Sequence, residues 1–365
     1  MSPVEVRRIV EAIHESFPSH WAEPWDKFGL ICGDPCATVT GVFVTLDPTA
    51  EAIAATLAAG ANVVATHHPA FLEPQTPIAA PGSRGIAWEA ARHGVSLIAA
   101  HTNLDRAPAG AGALGATLGL PSGEPLERSM QSLAHISVFV PSEAADTVRA
   151  AMTEAGAGRI GEYEGCSFTA EGTGRFLPLA GASPCIGTIA KPSRVPEERI
   201  EAVCDPTRAD WVVARIVEAH PYEEPLVVVT PVKIARGSAR LGRICTVEPV
   251  KLEDLAADVA SRMDCTPRVW GKKGSRVTRV ATASGSAGAL LPDAIAVAAD
   301  VLIAGEVRYH DALEAVAQGV CVIEVGHDVS EWPLVPVLAG AIRNTPGLDS
   351  KSVTVDSPTR RWWLP

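Results

Sequence analysis

Three short segments of this chain carry side chains able to hold a divalent cation: His67 and His68 in ATHHPAF, His101 and Asp105 in AAHTNLD, and His327 and Glu331 in EVGHDVSE. Imidazole nitrogens and carboxylate oxygens are borderline ligands, suited to zinc, iron or manganese and less so to calcium. If His67, His68, Asp105, His327 and Glu331 face one centre, their three imidazoles and two carboxylates suffice for two cations sharing a bridging carboxylate and a bridging water. Each segment also has an ordinary reading. An HHP tripeptide serves equally in a solvated loop, HTNLD offers side chains that cap a helix, and a His and Glu four residues apart are common on an exposed helix face.

The elements that must position these groups favour convergence. Adjacent residues of a strand point to opposite faces, so His67 and His68 can share a site only where the strand NVVAT ends and the chain turns, as Pro69 allows. His101 and Asp105 follow the apolar run VSLIA, and His327 follows VCVIEV. If a helix starts at His327, Glu331 lies one turn further on the same face. GEVRYHDALEA adds His310, with Glu306 and Asp311 close by, at a further strand-to-helix transition. There a contact with substrate or with a ligand competes with simple helix capping. His14, His20, His93, His135 and His220 have no converging carboxylates and are not expected to be ligands.

Those elements form an α/β pattern. GVFVTLD, ANVVATHHP and VSLIAAHTNLD alternate with Ala-rich helical stretches, which predicts a mostly parallel sheet with helices on its faces. In such sheets functional groups gather beyond the carboxyl ends of the strands. The last third repeats the texture, and we expect it to continue the same sheet. Between the two, strand and helix units beginning at AHISVFV and closing with VVARIVEAHPYEEPLVVVTPV suit an inserted ferredoxin-like α+β domain. The expected division is residues 1–128 and 241–365 for the core and 129–240 for the insertion.

Composition narrows the function classes. With 365 residues, 47% hydrophobic and 20% charged, the chain is expected to be globular, and it lacks the roughly 20-residue apolar run of a membrane span. Its net charge of -11 disfavours nucleic acid and anionic membranes as partners, although bound cations would reverse the field locally. The start MSPVEVRRIVEAIHESF reads as a helix and not as a signal peptide. Eight scattered cysteines without a CxxC pair point to a reducing cytoplasm, and Cys32 and Cys36 are expected to be structural thiols.

The stretches WDKFGLICGDP, ATHHPAF, AAHTNLD, GEVRYHDALEA and EVGHDVSE resemble those of the NGG-interacting factor three family, dinuclear-metal-centre proteins that often bear the name of a type two GTP cyclohydrolase I homolog. RIGEYEGCSFTAEGTGRFLPL and EAHPYEEP resemble the insertion of longer bacterial members. The resemblance implies His67, His68, Asp105, His327 and Glu331 as ligands of two metal ions, with Glu331 or Asp105 bridging. It further implies a homohexameric ring and an inserted domain of PII and CutA type. Lys27 stands where the family usually has Asn, and AGAGALG after Pro108 lacks its usual Asn-Asp. Neither is a ligand position, but both bear on substrate preference. The expected function is a metal-dependent hydrolase of a nucleotide-like or phosphoester small molecule, acting through a metal-bridging water with His101 or His310 moving the proton. The alternatives are a metal-loaded binding or regulatory protein that responds to a small effector, a GTP cyclohydrolase-type activity, and, more weakly, a thiol and iron redox enzyme.

Overall fold

A computed structural model describes residues 3–73, 85–128, 130–161, 163–235, 237–358 and 362. Ser129, where the change of texture begins, lies outside the described residues, as do the first and last residues of the expected core. The chain divides into two compact units, Met1–Arg128 with Ser238–Pro365, and Ser129–Gly237.

The first unit is mixed α/β, but it holds two sheets where the sequence suggests one. The first sheet runs Gly29–Cys32, Ser96–Ala99, Val63–Thr66, Val42–Thr45, Val353–Val355, parallel except for the antiparallel edge strand Gly29–Cys32. The second runs Arg268–Trp270, Cys321–Glu324, Val301–Glu306, Arg276–Ser286, Arg243–Lys251, Glu124–Pro125, with a parallel centre and antiparallel flanks. Central parallel strands covered on both faces read as near-continuous apolar runs. Accordingly all four residues of Val63–Thr66 and of Cys321–Glu324 are buried.

Helices supply the covers. Val6, Ile9 and Ile13 of the helix Val6–Ser16 recur at helical spacing and pack with Leu334, Leu338 and Ile342 of Leu334–Arg343 against Val42, Val63 and Ile98. The other face of this sheet, with Phe43, Val64 and Leu97, meets Ile53 and Ala90. The helix Pro108–Thr117 serves both sheets: Ala113 joins the first core, and Leu114 packs with Val280 and Ile303 of the second.

One crossing sets the site. After Cys321–Glu324 in the second sheet, the chain forms the short helix His327–Glu331, then Leu334–Arg343 on the first sheet, and ends in that sheet as Val353–Val355. His327 and Glu331 therefore leave a strand end of one sheet on a segment bound for the other.

The second unit has the order strand Met130–Pro141, helix Ala145–Glu154, strands Phe168–Phe176 and Ser193–Cys204, helix Ala209–Ala219, strand Val227–Ala235. Its four strands form one antiparallel sheet, with Ser193–Cys204 and Met130–Pro141 central. Ile136, Val138 and Ile200 pack on Val148, Met152, Val212 and Ile216 from the two helices, giving this unit its own core. Among the described residues no helix is long and apolar enough to cross a membrane.

Candidate metal centre

His67 and His68 directly follow Val63–Thr66, and the turn anticipated at Pro69 lets both rings serve one site. Their ring centroids lie 5.0 Å apart. The Thr66 hydroxyl donates to the His68 carbonyl at 2.6 Å and tightens that turn. His101 follows the neighbouring strand, at 5.3 Å from His67 and 5.9 Å from His68. Asp105 does not cap the helix Thr102–Arg106; it is the fourth residue within it. Asp26 takes the terminal role, accepting from Thr102 N at 2.9 Å and from the Thr102 hydroxyl. Arg106, buried between the carboxylates of Glu23 and Glu127, ties down the end of the helix that carries Asp105.

The second sheet supplies the rest. His327 and Glu331 open and close a five-residue helix and lie one turn apart, with His327 Nε2 and Glu331 Oε1 at 3.1 Å. Glu331 Oε2 approaches His68 Nε2 at 2.9 Å, and His67 Nε2 lies 3.6 Å from Asp105 Oδ1 and 3.8 Å from Glu331 Oε1. The ligand atoms of His67, His68 and His101 all fall within 4.8 Å of one another, and so do those of His68, His327 and Glu331. The structure thus brings His67, His68, Asp105, His327 and Glu331 together, with His101 beside them. His310 is exposed on the helix Tyr309–Ala317, and its ring packs against Tyr309.

The far nitrogens of the rings explain which atoms face inward. His67 Nδ1 lies 3.0 Å from the Ala100 carbonyl, His68 Nδ1 2.8 Å from Asp47, His101 Nδ1 2.7 Å from Asp26, and His327 Nδ1 3.0 Å from Glu306. A carbonyl or carboxylate can only accept, so each Nδ1 carries a proton and donates it. The Nε2 of His67, His68 and His327 is then the nitrogen left to bind a cation, the arrangement that orients histidine ligands in metal sites, and that of His101 faces the same cluster. Asp47, Asp26 and Glu306 are the residues that sequence reasoning did not assign to these rings. Asp47 ends the strand stretch GVFVTLD and Asp26 belongs to WDKFGL, so strand-end position was the available signal.

The inward atoms are under-satisfied by protein alone. His67 Nε2 and Glu331 Oε2 are buried without a hydrogen-bond partner; the latter is close to His68 but not aligned for a bond. Buried polar atoms left in this way are costly. A divalent cation among them satisfies both, and nitrogen and carboxylate donors suit it.

Charge coupling follows the same geometry. Burial opposes a proton on His68, but Asp47 and Glu331 outweigh it and raise its pKa to about 10. His327 is raised to about 9, first by its hydrogen bond to Glu331, with burial opposing and Glu306 assisting. Burial also opposes a proton on His67, yet Asp105 and Glu331 raise it. Burial favours protonation of both carboxylates; the imidazoles around Glu331 hold it well below the usual range, whereas Asp105, facing Glu331, is raised. Without a cation, protons on the rings balance the acids.

Gly285, on the strand Arg276–Ser286, makes room for Glu331. Its φ of +62° is one that side chains rarely adopt, and an added Cβ would lie 2.2 Å from Glu331 Oε1. Gly285→Ala is expected to push the carboxylate aside and weaken divalent-cation binding by roughly ten- to a hundredfold, the range seen when a supporting residue of a metal site is lost. Calorimetric titration of the metal-free variant with Mn²⁺ or Zn²⁺ measures this.

These features define a class: an α/β protein in which strand ends of two sheets face a histidine and carboxylate cluster able to hold metal. The family model Duf34/NIF3 (NGG1p interacting factor 3) matches residues 4–358. The chain belongs to that family. A Mycobacterium tuberculosis protein named "GTP cyclohydrolase 1 type 2 homolog" is 34% identical over 350 residues, covering 93% of this chain and 92% of its own length. One of the same name from Staphylococcus aureus strain MRSA252 is 30% identical, with 98% of each chain covered. Among solved structures, a Bacillus cereus protein related to NIF3 is similar with a TM-score of 0.64 at 29% identity, covering 100% of both chains. A Staphylococcus aureus protein is similar with a TM-score of 0.70 at 26% identity, covering 100% of this chain and 99% of its own.

Proposed function

We propose that this chain is a dinuclear-metal hydrolase acting on a phosphoester or nucleotide-like small molecule. The observation that carries the reading is the set of locked rings: the Nδ1 of His67, His68 and His327 is in each case committed to an oxygen, and each Nε2 is turned toward the buried carboxylate of Glu331, that of His67 facing Asp105 as well. His67, His68, Asp105, His327 and Glu331 would hold the ions. Glu331 is the carboxylate that would serve both ions, because its two oxygens approach different imidazoles, Oε1 that of His327 and Oε2 that of His68. Bound there, zinc, iron or manganese would supply Lewis acidity that acidifies water near neutral pH and polarises a phosphoryl group or ring carbon.

The chain's own residues supply orientation and proton transfer. Asp26 fixes the His101 ring beside the cluster, so its Nε2 can take and return a proton, with His310 the alternative for that role. Trp25, 54% exposed and edge-on to His101 with centroids 6.0 Å apart, offers an apolar surface where a planar substrate can rest. The relatives' names make GTP a member of the substrate panel. The sequence resemblance supports a homohexameric ring and a PII or CutA kinship for the inserted unit. That unit's separate core also supports a second reading, a metal-loaded regulatory protein responding to an effector.

A panel of phosphoesters and nucleotides including GTP, tested with metal-loaded wild type and His101→Ala, separates these readings. His101→Ala is expected to retain its metal and lose about a hundredfold in turnover, the lower range for a general acid or base. Absence of turnover across the panel, or turnover unchanged in the variant, would count against the hydrolase.

A further inference from the structure

The inserted unit contains a cavity of its own, of ≈ 640 Å³, walled by Phe139, Phe176 and Tyr222 and bearing Glu197, Glu223 and Glu224. Glu197, 9% exposed, is its buried polar group. It lies on the strand Ser193–Cys204 opposite Gly172, so Gly174 on the adjacent strand is its diagonal neighbour. A Cβ at Gly174 would sit 2.2 Å from the Glu197 carboxylate. The φ of Gly174 is an ordinary one, so the glycine is needed there for space: it lets Glu197 lie across the strand.

The HPYEEP segment holds this carboxylate in place. The Tyr222 hydroxyl donates to Glu197 Oε1 at 2.7 Å. His220 anchors that tyrosine: its Nδ1 accepts from Tyr222 N at 3.0 Å, while its Nε2 donates to the Phe139 carbonyl at 2.9 Å. Tyr222 also packs edge-on to Phe176, with centroids 5.6 Å apart. All of these partners are neutral. Among the described residues, no Lys or Arg forms an ion pair with Glu197, whereas nearby Glu198 and Glu201 have theirs. Of the charged side chains lining the cavity, three are carboxylates and one, Arg175, is cationic. A buried carboxylate is stable when a cation meets it, and aromatic faces attract the same charge.

We propose that this cavity binds a small organic cation, an amine or amidine carried on a planar or apolar body, with Glu197 as its counter-ion and Phe176 and Tyr222 as its walls. The charge-assisted bonds to Glu197 set specificity, and ring contact with the body adds affinity. This site lies within the second unit and does not depend on the hydrolase reading.

The test uses the full chain with benzamidine as probe, its neutral isostere benzamide as control, and Mg²⁺ alone as a third arm. Calorimetry measures binding. In parallel, mass spectrometry follows alkylation of Cys185, an exposed thiol on the cavity wall, against exposed Cys36 in the other unit. Benzamidine is expected to bind and to slow alkylation of Cys185 but not of Cys36, with benzamide at least tenfold weaker and Mg²⁺ without effect. Glu197→Gln and Gly174→Ala, one removing the charge and the other displacing it, should each weaken benzamidine at least tenfold. Equal binding of benzamide, protection by Mg²⁺ alone, or unchanged affinity in Glu197→Gln would overturn the proposal. The comparison of the two probes on wild type decides the matter even if a variant fails to fold.

Discussion

Glu331→Gln is expected to lower divalent-cation affinity by more than about a hundredfold, beyond the usual effect of losing a supporting residue. Among the described residues Glu331 is the one carboxylate close to three imidazoles, at 2.9 Å from His68, 3.1 Å from His327 and 3.8 Å from His67. The amide keeps its size but removes the charge, and it cannot offer two anionic oxygens. A second signature accompanies the loss. Glu331 helps to hold the protons on His68 and His327, so in the metal-free variant both imidazoles should titrate closer to the ordinary histidine range. Metal titration and NMR titration of the imidazoles read the two effects separately. A variant that merely unfolds would lose metal too, but it would show every histidine at its ordinary pKa and not only these two.

Metal affinity should also depend steeply on pH. In the metal-free protein His68 titrates at about 10 and His327 at about 9. Below pH 9 both rings are protonated, and a cation must displace both protons to reach Nε2. Each displaced proton changes affinity by about tenfold per pH unit, so these two rings alone should make affinity rise by about a hundredfold per unit up to pH 9, then tenfold per unit to pH 10. Titration with Mn²⁺ at several pH values in buffers of differing ionisation enthalpy yields both the slope and the protons released. A flat profile would mean that these rings do not bind the cation. Stability of the metal-free protein runs in the opposite direction. Both pKa values lie above the unfolded value of 6.5, so their contribution is fully present below pH 6.5 and is lost as pH rises through 9 and 10.

Much of this site was readable because its residues stand at punctuation points of the chain. NVVAT and VCVIEV are mostly apolar runs, so His67, His68 and His327 could be placed at strand ends, and helical spacing put Glu331 beside His327. What could not be read was pairing between distant segments. Val353–Val355 joins Val42–Thr45 across most of the chain, and the run that ends in Cys321–Glu324 looks no different from one belonging to the first sheet. Periodicity describes how a strand is buried, not which strand lies next to it. Hence two sheets appeared as one, although the chain's crossing between them is what carries His327 and Glu331 to His67 and His68.

The orienting acids were hidden for a related reason. Asp26 and Asp47 are two among 42 acidic residues, and their meaning comes from rings 75 and 21 positions away. Glu306 and His310 looked like a pair because they are close in sequence. In the fold Glu306 ends its strand and meets His327, while His310 lies exposed in the helix that follows.

Elemental analysis of gently purified protein, wild type beside His68→Ala, tests the central claim most directly, with circular dichroism to establish that both are folded. Divalent metal approaching two ions per chain in wild type and sharply reduced in the variant is the predicted result. Equal metal content in the two proteins would contradict it.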